Sequence, residues 1–138
     1  MAQRIEEVMT LNPTVIPVDA TLSAAARAMR DLDIGDVVVA TEGRPVGIVT
    51  DRDIVVRALA EGLGPETSVR EICTRELTTL PAKGSVDDAI ELMREKSLRR
   101  LPVVNGDVLV GIVSIGDLAR KRDPGSALAE ISTAPPNR

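Results

Sequence analysis

The chain has 138 residues, 43% apolar and 28% charged, a net charge of −4, and no histidine, tryptophan, tyrosine or phenylalanine. Lack of histidine excludes the triads that use it as base and the commonest zinc sites. Lack of aromatics excludes the base stacking of RNA and single-strand binders, and the acidic balance argues against nucleic-acid or membrane surfaces.

One cysteine, Cys73, rules out an internal disulfide and a cysteine metal cage. In Val69-Arg70-Glu71-Ile72-Cys73 it reads as core filler on a helix face. The first ten residues lack a secretory pattern and no apolar run is long enough to span a bilayer, so a cytoplasmic protein is expected. The length suits one compact domain or two very small halves sharing a core.

In chain order, Ile5 to Thr10 reads as a helical turn with Ile5, Val8 and Met9 on one side, broken by Asn12-Pro13. Thr14 to Val18 reads as a short strand. Asp19 or Thr21 then caps a helix whose stripe is Leu22, Ala25, Ala26, Met29 and Leu32. Asp36 to Ala40 and Pro45 to Thr50 read as strands joined by a hairpin turn at Thr41-Glu42-Gly43-Arg44. Asp51 to Glu61 reads as a second helix with Ile54, Val55, Ala58 and Leu59 inward, ended by Gly62 and Gly64-Pro65.

From Val69 the plan repeats. Thr78 to Pro81 echoes Thr14 to Pro17, and Ser85 caps a helix with Val86, Ala89, Ile90 and Met93 inward, Asp88 suggesting a capping box. Leu101 to Val104 and Leu109 to Ser114 are strands around an Asn105-Gly106-Asp107 turn, and Asp117 opens the last helix. Gly47 and Gly111 stand 64 positions apart, as do Met29 and Met93, Pro17 and Pro81, and Thr10 and Thr74. A gapless match of that length marks an internal duplication. The tail from Asp123 is rich in Pro, Ser and Ala and is expected to be mobile.

The most informative stretch is Val46-Gly47-Ile48-Val49-Thr50-Asp51-Arg52-Asp53-Ile54, which recurs as Val110-Gly111-Ile112-Val113-Ser114-Ile115-Gly116-Asp117-Leu118. Each is a strand running into a helix, with an acid three residues after a hydroxyl. One reading is a capped helix start used twice. The other is a sugar-phosphate site, where free first-turn amides and the helix dipole favour the anion and the carboxylate accepts from ribose hydroxyls. Asp51 and Asp53 as a metal-binding or acid–base pair lack a histidine or further acidic cluster. Arg99 and Arg100 read either as solvated residues or as a phosphate fork.

Each copy reads helix turn, strand, helix, strand, strand, helix. One copy, at about 60 residues, is too small to bury its own sheet, so an α+β fold is expected with two copies packed sheet to sheet about a pseudo-two-fold axis. The repeats are placed at residues 1–64 and 65–122, followed by the tail at 123–138.

The two motifs Val46-Gly47-Ile48-Val49-Thr50-x-x-Asp53 and Val110-Gly111-Ile112-Val113-Ser114-x-x-Asp117, with Leu98-Arg99-Arg100-Leu101-Pro102-Val103-Val104, resemble a tandem pair of cystathionine-β-synthase (CBS) domains, or Bateman module. The resemblance covers Ile5 to about Arg122, and the chain is similar to stand-alone bacterial CBS-pair proteins, including those linked with stress or dormancy. It implies a regulatory module that is not an enzyme, has no catalytic or metal residues and requires no cofactor. Its ligand would be adenosine-containing (AMP, ADP, ATP or S-adenosylmethionine), and it would signal by conformational change as a homodimer to a protein target that the sequence does not name.

By the same resemblance, Asp53 and Asp117 match the ribose-binding carboxylate, and Thr50 and Ser114 match the hydroxyl that contacts phosphate. One cleft would use Thr50 and Asp53 with Leu77, Thr78, Arg99, Arg100 and Pro102. The other would use Ser114 and Asp117 with Pro13, Thr14, Gly35, Asp36 and Val38. Gly35-Asp36 stand where the other repeat has Arg99-Arg100, and like-charge repulsion from Asp36 makes the second cleft the weaker. The alternative is an assembly protein that keeps the fold and has lost ligand binding.

Overall fold

The computed structural model describes residues 3–73 and 77–122, so the expectations for Thr74 and for the tail lie outside the described residues. In chain order the elements are a 3-10 turn at Ile5–Glu7, β1 (Thr10–Leu11), β2 (Val15–Pro17), α1 (Leu22–Leu32), β3 (Asp36–Thr41) and β4 (Arg44–Thr50). There follow α2 (Asp51–Asp53), continued by a π-wound segment Ile54–Leu59, and a 3-10 turn at Val69–Glu71. The second half holds β5 (Leu80–Pro81), α3 (Val86–Lys96), β6 (Arg100–Asn105), β7 (Val108–Ser114) and α4 (Ile115–Arg122). The fold is α+β and forms two compact units, one of Thr14–Leu77 and one joining the residues up to Pro13 with those from Thr78 onward.

In the Thr14–Leu77 unit the sheet order is β2-β3-β4, with β2 parallel and β4 antiparallel to β3. Glu42 and Gly43, both at positive φ (51° and 79°), make the tight turn whose twist matches the hairpin strands. Thr21 Oγ1 caps α1 by accepting from Ala24 N at 3.0 Å, and Asp33 ends it in the left-handed conformation. Leu22, Ala25 and Met29 face Ile16, Val37, Val39 and Val49 in the core. Two stripe residues do not: Ala26 is exposed and Leu32 is 56% exposed. A helix lying on a small sheet buries a narrower stripe than the apolar spacing offered.

The second helix also departs from expectation. After Asp53 the chain widens into π winding, with Ala60 N donating to Val55 O at 2.9 Å. Ala58 stays buried and Ile54 packs against the core, but Val55 and Leu59, expected inward, are 55% and 71% exposed. An α-helical count places them on the inner face; i→i+5 bonding rotates them off it.

In the other unit the order is β1-β7-β6-β5, with β1 antiparallel to β7 (Thr10 opposite Ile112) and β5 parallel to β6. Ser85 Oγ caps α3 by accepting from Asp88 N at 3.0 Å. The two cores correspond position by position: Leu22 with Val86, Ala25 with Ala89, Met29 with Met93, Val37 with Leu101, Val39 with Val103 and Val49 with Val113. Cys73, a free thiol, belongs to the first core.

Candidate functional site

Each unit carries one copy of the hydroxyl–carboxylate turn. In the first, β4 delivers Thr50 in extended conformation (φ −109°, ψ 163°) to the start of α2. Thr50 Oγ1 accepts from Asp53 N at 3.0 Å, and Asp53 Oδ2 accepts from Thr50 N at 2.9 Å, a reciprocal capping box. Ser114 and Asp117 repeat it at the end of β7, at 3.1 and 3.0 Å. Both hydroxyls accept through a lone pair, which leaves the O–H proton to donate to an anion.

The backbone amides do not do what the sequence suggested. Asp51 N donates to Gly35 O at 3.0 Å and Arg52 N to Asp51 Oδ1 at 2.8 Å, while the amides of Thr50 and Asp53 belong to the box. In the second copy Ile115 N donates to Arg99 O at 3.0 Å. The turns are tied to their own sheets through these bonds, so an anion here meets side chains rather than a row of free amides. Sequence spacing could not disclose this, because the acceptors Gly35 O and Arg99 O come from β3 and β6 approaches.

Register places the remaining candidates. In the Thr14–Leu77 unit Asp36 stands opposite Thr50, Gly35 precedes it, and Val38 N donates to Thr14 O at 2.9 Å. A side chain on Gly35 would begin 3.4 Å from Asp51 Oδ2. Gly35 is exposed, Asp36, Thr14 and Leu77 half-buried, and Val38 buried. In the other unit Arg100 stands opposite Ser114 and Pro102 opposite Ile112. Arg99 and Arg100 are exposed, Pro13 and Thr78 half-buried, and Pro102 buried. Thus Thr50, Asp53, Gly35 and Asp36 sit at one end of one sheet, and Ser114, Asp117, Arg99 and Arg100 at the equivalent end of the other.

Two arginines that the sequence reading passed over bear on the carboxylates. Arg57 Nη1 lies 3.9 Å from Asp53 Oδ1, a loose pair at a site where the Asp53 side chain is 19% exposed. Arg120 Nη2 instead donates directly to Asp117 Oδ1, and Asp117 is 8% exposed, the one charged residue in the buried class among the described residues. Their spacing from the acid, four and three residues, is the helical neighbour spacing and was the available signal. A groove of about 290 Å³ between α3 and α4 is lined by Ile90, Met93, Leu98, Ile115, Leu118 and Arg94. With its lining otherwise apolar, it offers little to a ribose or phosphate. Among the described residues no group of three metal-ligating side chains occurs and no helix is long and apolar enough to cross a membrane.

Each of the two duplicated α+β units thus carries one hydroxyl–carboxylate turn at the end of its sheet, and sequence comparison finds the same duplication. The CBS domain family matches residues 5–59 and 69–123; the chain belongs to that family, as a CBS pair, its regulatory module. It is 36% identical over 132 residues to the CBS domain-containing protein YhcV of Bacillus subtilis, covering 93% of this chain and 94% of the relative. The crystal structure of Hypoxic Response Protein I with two coordinated zinc ions matches with a TM-score of 0.79 and 36% identity, over 86% of this chain and 98% of that one. The CBS domain pair of protein MJ0100, in complex with 5′-methylthioadenosine and S-adenosyl-L-methionine, matches with a TM-score of 0.81 and 25% identity, over 91% and 100%.

Proposed function

We propose that this CBS pair is a non-enzymatic sensor of an adenosine-containing ligand, AMP, ADP, ATP or S-adenosylmethionine. The observation that carries the reading is the Thr50–Asp53 box. It holds the carboxylate through Oδ2 and sets Oδ1 3.9 Å from the Arg57 guanidinium. That oxygen can accept from ribose hydroxyls, the Thr50 hydroxyl can donate to the first phosphate, and Arg57 can turn to the same anion. Ser114 and Asp117 are the second copy of this machinery. Arg99 and Arg100 supply further phosphate contacts, and without aromatics the adenine is held by aliphatic side chains and backbone groups.

The complex with methylthioadenosine and S-adenosylmethionine formed by the MJ0100 pair supports the ligand class. The test is calorimetric titration of AMP, ATP and S-adenosylmethionine into wild type, Asp53→Ala and Arg100→Ala. Loss of charge-assisted bonds of about 1.5–3 kcal/mol should weaken binding by roughly ten- to a hundredfold in Asp53→Ala. Unchanged affinity in that variant would sink the assignment. Non-additive losses in Asp53→Ala/Arg100→Ala would assign both residues to one ligand, as the family resemblance implies.

A second reading, an assembly module acting as a homodimer without ligand, is favoured by one feature. Val55, Val56 and Leu59 on the π-wound segment and the nearby Leu63 are all exposed. A flat response to every adenosine ligand together with a stable dimer would select it.

A further inference from the structure

The two carboxylates are not equally available, and the difference lies in one arginine. Asp117 has both oxygens engaged: Oδ2 accepts from Ser114 N at 3.0 Å and Oδ1 accepts from Arg120 Nη2. Asp53 has the same backbone bond but meets Arg57 only at 3.9 Å. The winding explains this. α4 is α-helical, so Arg120, three residues past the acid, lies over it on the same face. In the other copy that position is Val56, the chain is π-wound, and the next arginine is half exposed at 49%.

We propose that Arg120 is a built-in competitor for the carboxylate of the second copy, so that an adenosine ligand reaches Asp117 only by displacing its guanidinium, and that Arg120 thereby sets the affinity difference between the two copies. The inference rests on the adenosine-sensing reading given above. A guanidinium on a nearly buried carboxylate takes the acceptor that ribose hydroxyls require. Neutral hydroxyls are poorer partners for it than a fixed cation. The arginine then acts as a threshold: the first copy fills at low ligand concentration and the second only at higher concentration.

The experiment is AMP titration by calorimetry in an Asp53→Ala background, where the second copy is read alone, comparing Arg120, Arg120→Ala and Arg120→Gln. Removing the competitor should tighten AMP binding by about tenfold or more, with Gln intermediate because its amide still donates to Asp117. The Gln variant also serves if Ala leaves the buried acid too poorly compensated to fold. A parallel readout is the Arg120 guanidinium NMR signal, which should be slowly exchanging in the wild-type apo protein, lost in Asp117→Asn, and released on saturation with AMP. AMP binding that is unchanged or weaker in both Arg120 variants overturns the proposal while leaving the sensor reading intact. Absence of AMP binding in wild type and in every Arg120 variant overturns both.

Discussion

Ile5 and Val69 stand 64 positions apart and fill the same place in opposite cores: Ile5, fully buried, packs with Leu80, Val86 and Leu101, and Val69, fully buried, packs with Ile16, Leu22 and Val37. Each repeat thus lends its leading segment to the unit built mainly from the other. Ile5 N donates to Gly84 O and Val69 N to Ala20 O, at 2.9 and 2.8 Å, fixing the two segments in equivalent fashion.

Ile5→Ala should therefore destabilise a unit whose strands β5 to β7 and helices all begin at Leu80 or later in the sequence, with only β1 close by. The expected cost is about 2–5 kcal/mol, because a fully buried isoleucine leaves a cavity as well as losing transfer energy. Thermal unfolding by circular dichroism would read it as a clear fall in Tm, and Val69→Ala should lower Tm in the same sense. An unshifted melt for Ile5→Ala would contradict the packing.

Gly111 faces β1 with no room for a methyl group. An added Cβ would lie 2.5 Å from Met9 Sδ and 2.9 Å from Thr10 O. Methionine can yield, but the carbonyl belongs to the paired strand, so Gly111→Ala should cost about 1–3 kcal/mol and loosen the Thr10–Ile112 pairing. Amide exchange at Thr10 and Leu11 measures it. Gly106→Ala meets open space and differs only through its positive φ of 65°, at about 1 kcal/mol.

Thr21 and Thr50 cap helices with the same geometry, both at 3.0 Å, yet only Thr50 belongs to the proposed site. Thr21→Ala should lower stability by about 1 kcal/mol and leave AMP affinity at the wild-type value. Thr50→Ala should lower both. Equal loss of affinity in the two variants would mean that capping, not ligand contact, matters at Thr50.

Leu59→Asp places a charge at a side chain that is 71% exposed within one unit. The melt of the fold should change by no more than about 0.5 kcal/mol, as is usual for surface sites. Sedimentation velocity should show the variant shifted toward monomer if the exposed apolar segment mediates self-association; a sedimentation profile equal to wild type would remove that role from Leu59.

Asp31 is held below the ordinary aspartate pKa by its hydrogen bond from Arg30 at 2.8 Å, aided by the arginine charge. The lowered folded value means that the pair's contribution is present above the unfolded aspartate pKa and lost as pH falls through the folded one. Both groups are solvent-exposed, so Tm should barely respond. Carboxyl NMR titration of wild type against Arg30→Gln should show the Asp31 midpoint rising in the variant.

Local and periodic features were legible from the residues alone. The 64-residue offset, the hairpin turns and the caps at Thr21 and Ser85 follow from interactions spanning a few positions. So does the acid three residues after Thr50 and Ser114, and chemistry at that range is written directly in residue type and spacing. Most of the core was readable for the same reason, since Met29 and Met93 keep a helical period. Tertiary structure alone decided the rest. It consumed the Asp51 amide on Gly35 O, turned Val55 and Leu59 outward through π winding, and sent Ile5 and Val69 into opposite cores. It also laid Arg120 on Asp117 while Arg57 stands off Asp53. Each of these depends on how a helix winds after its first turn, or on which distant backbone comes within hydrogen-bonding reach, and residue spacing specifies neither.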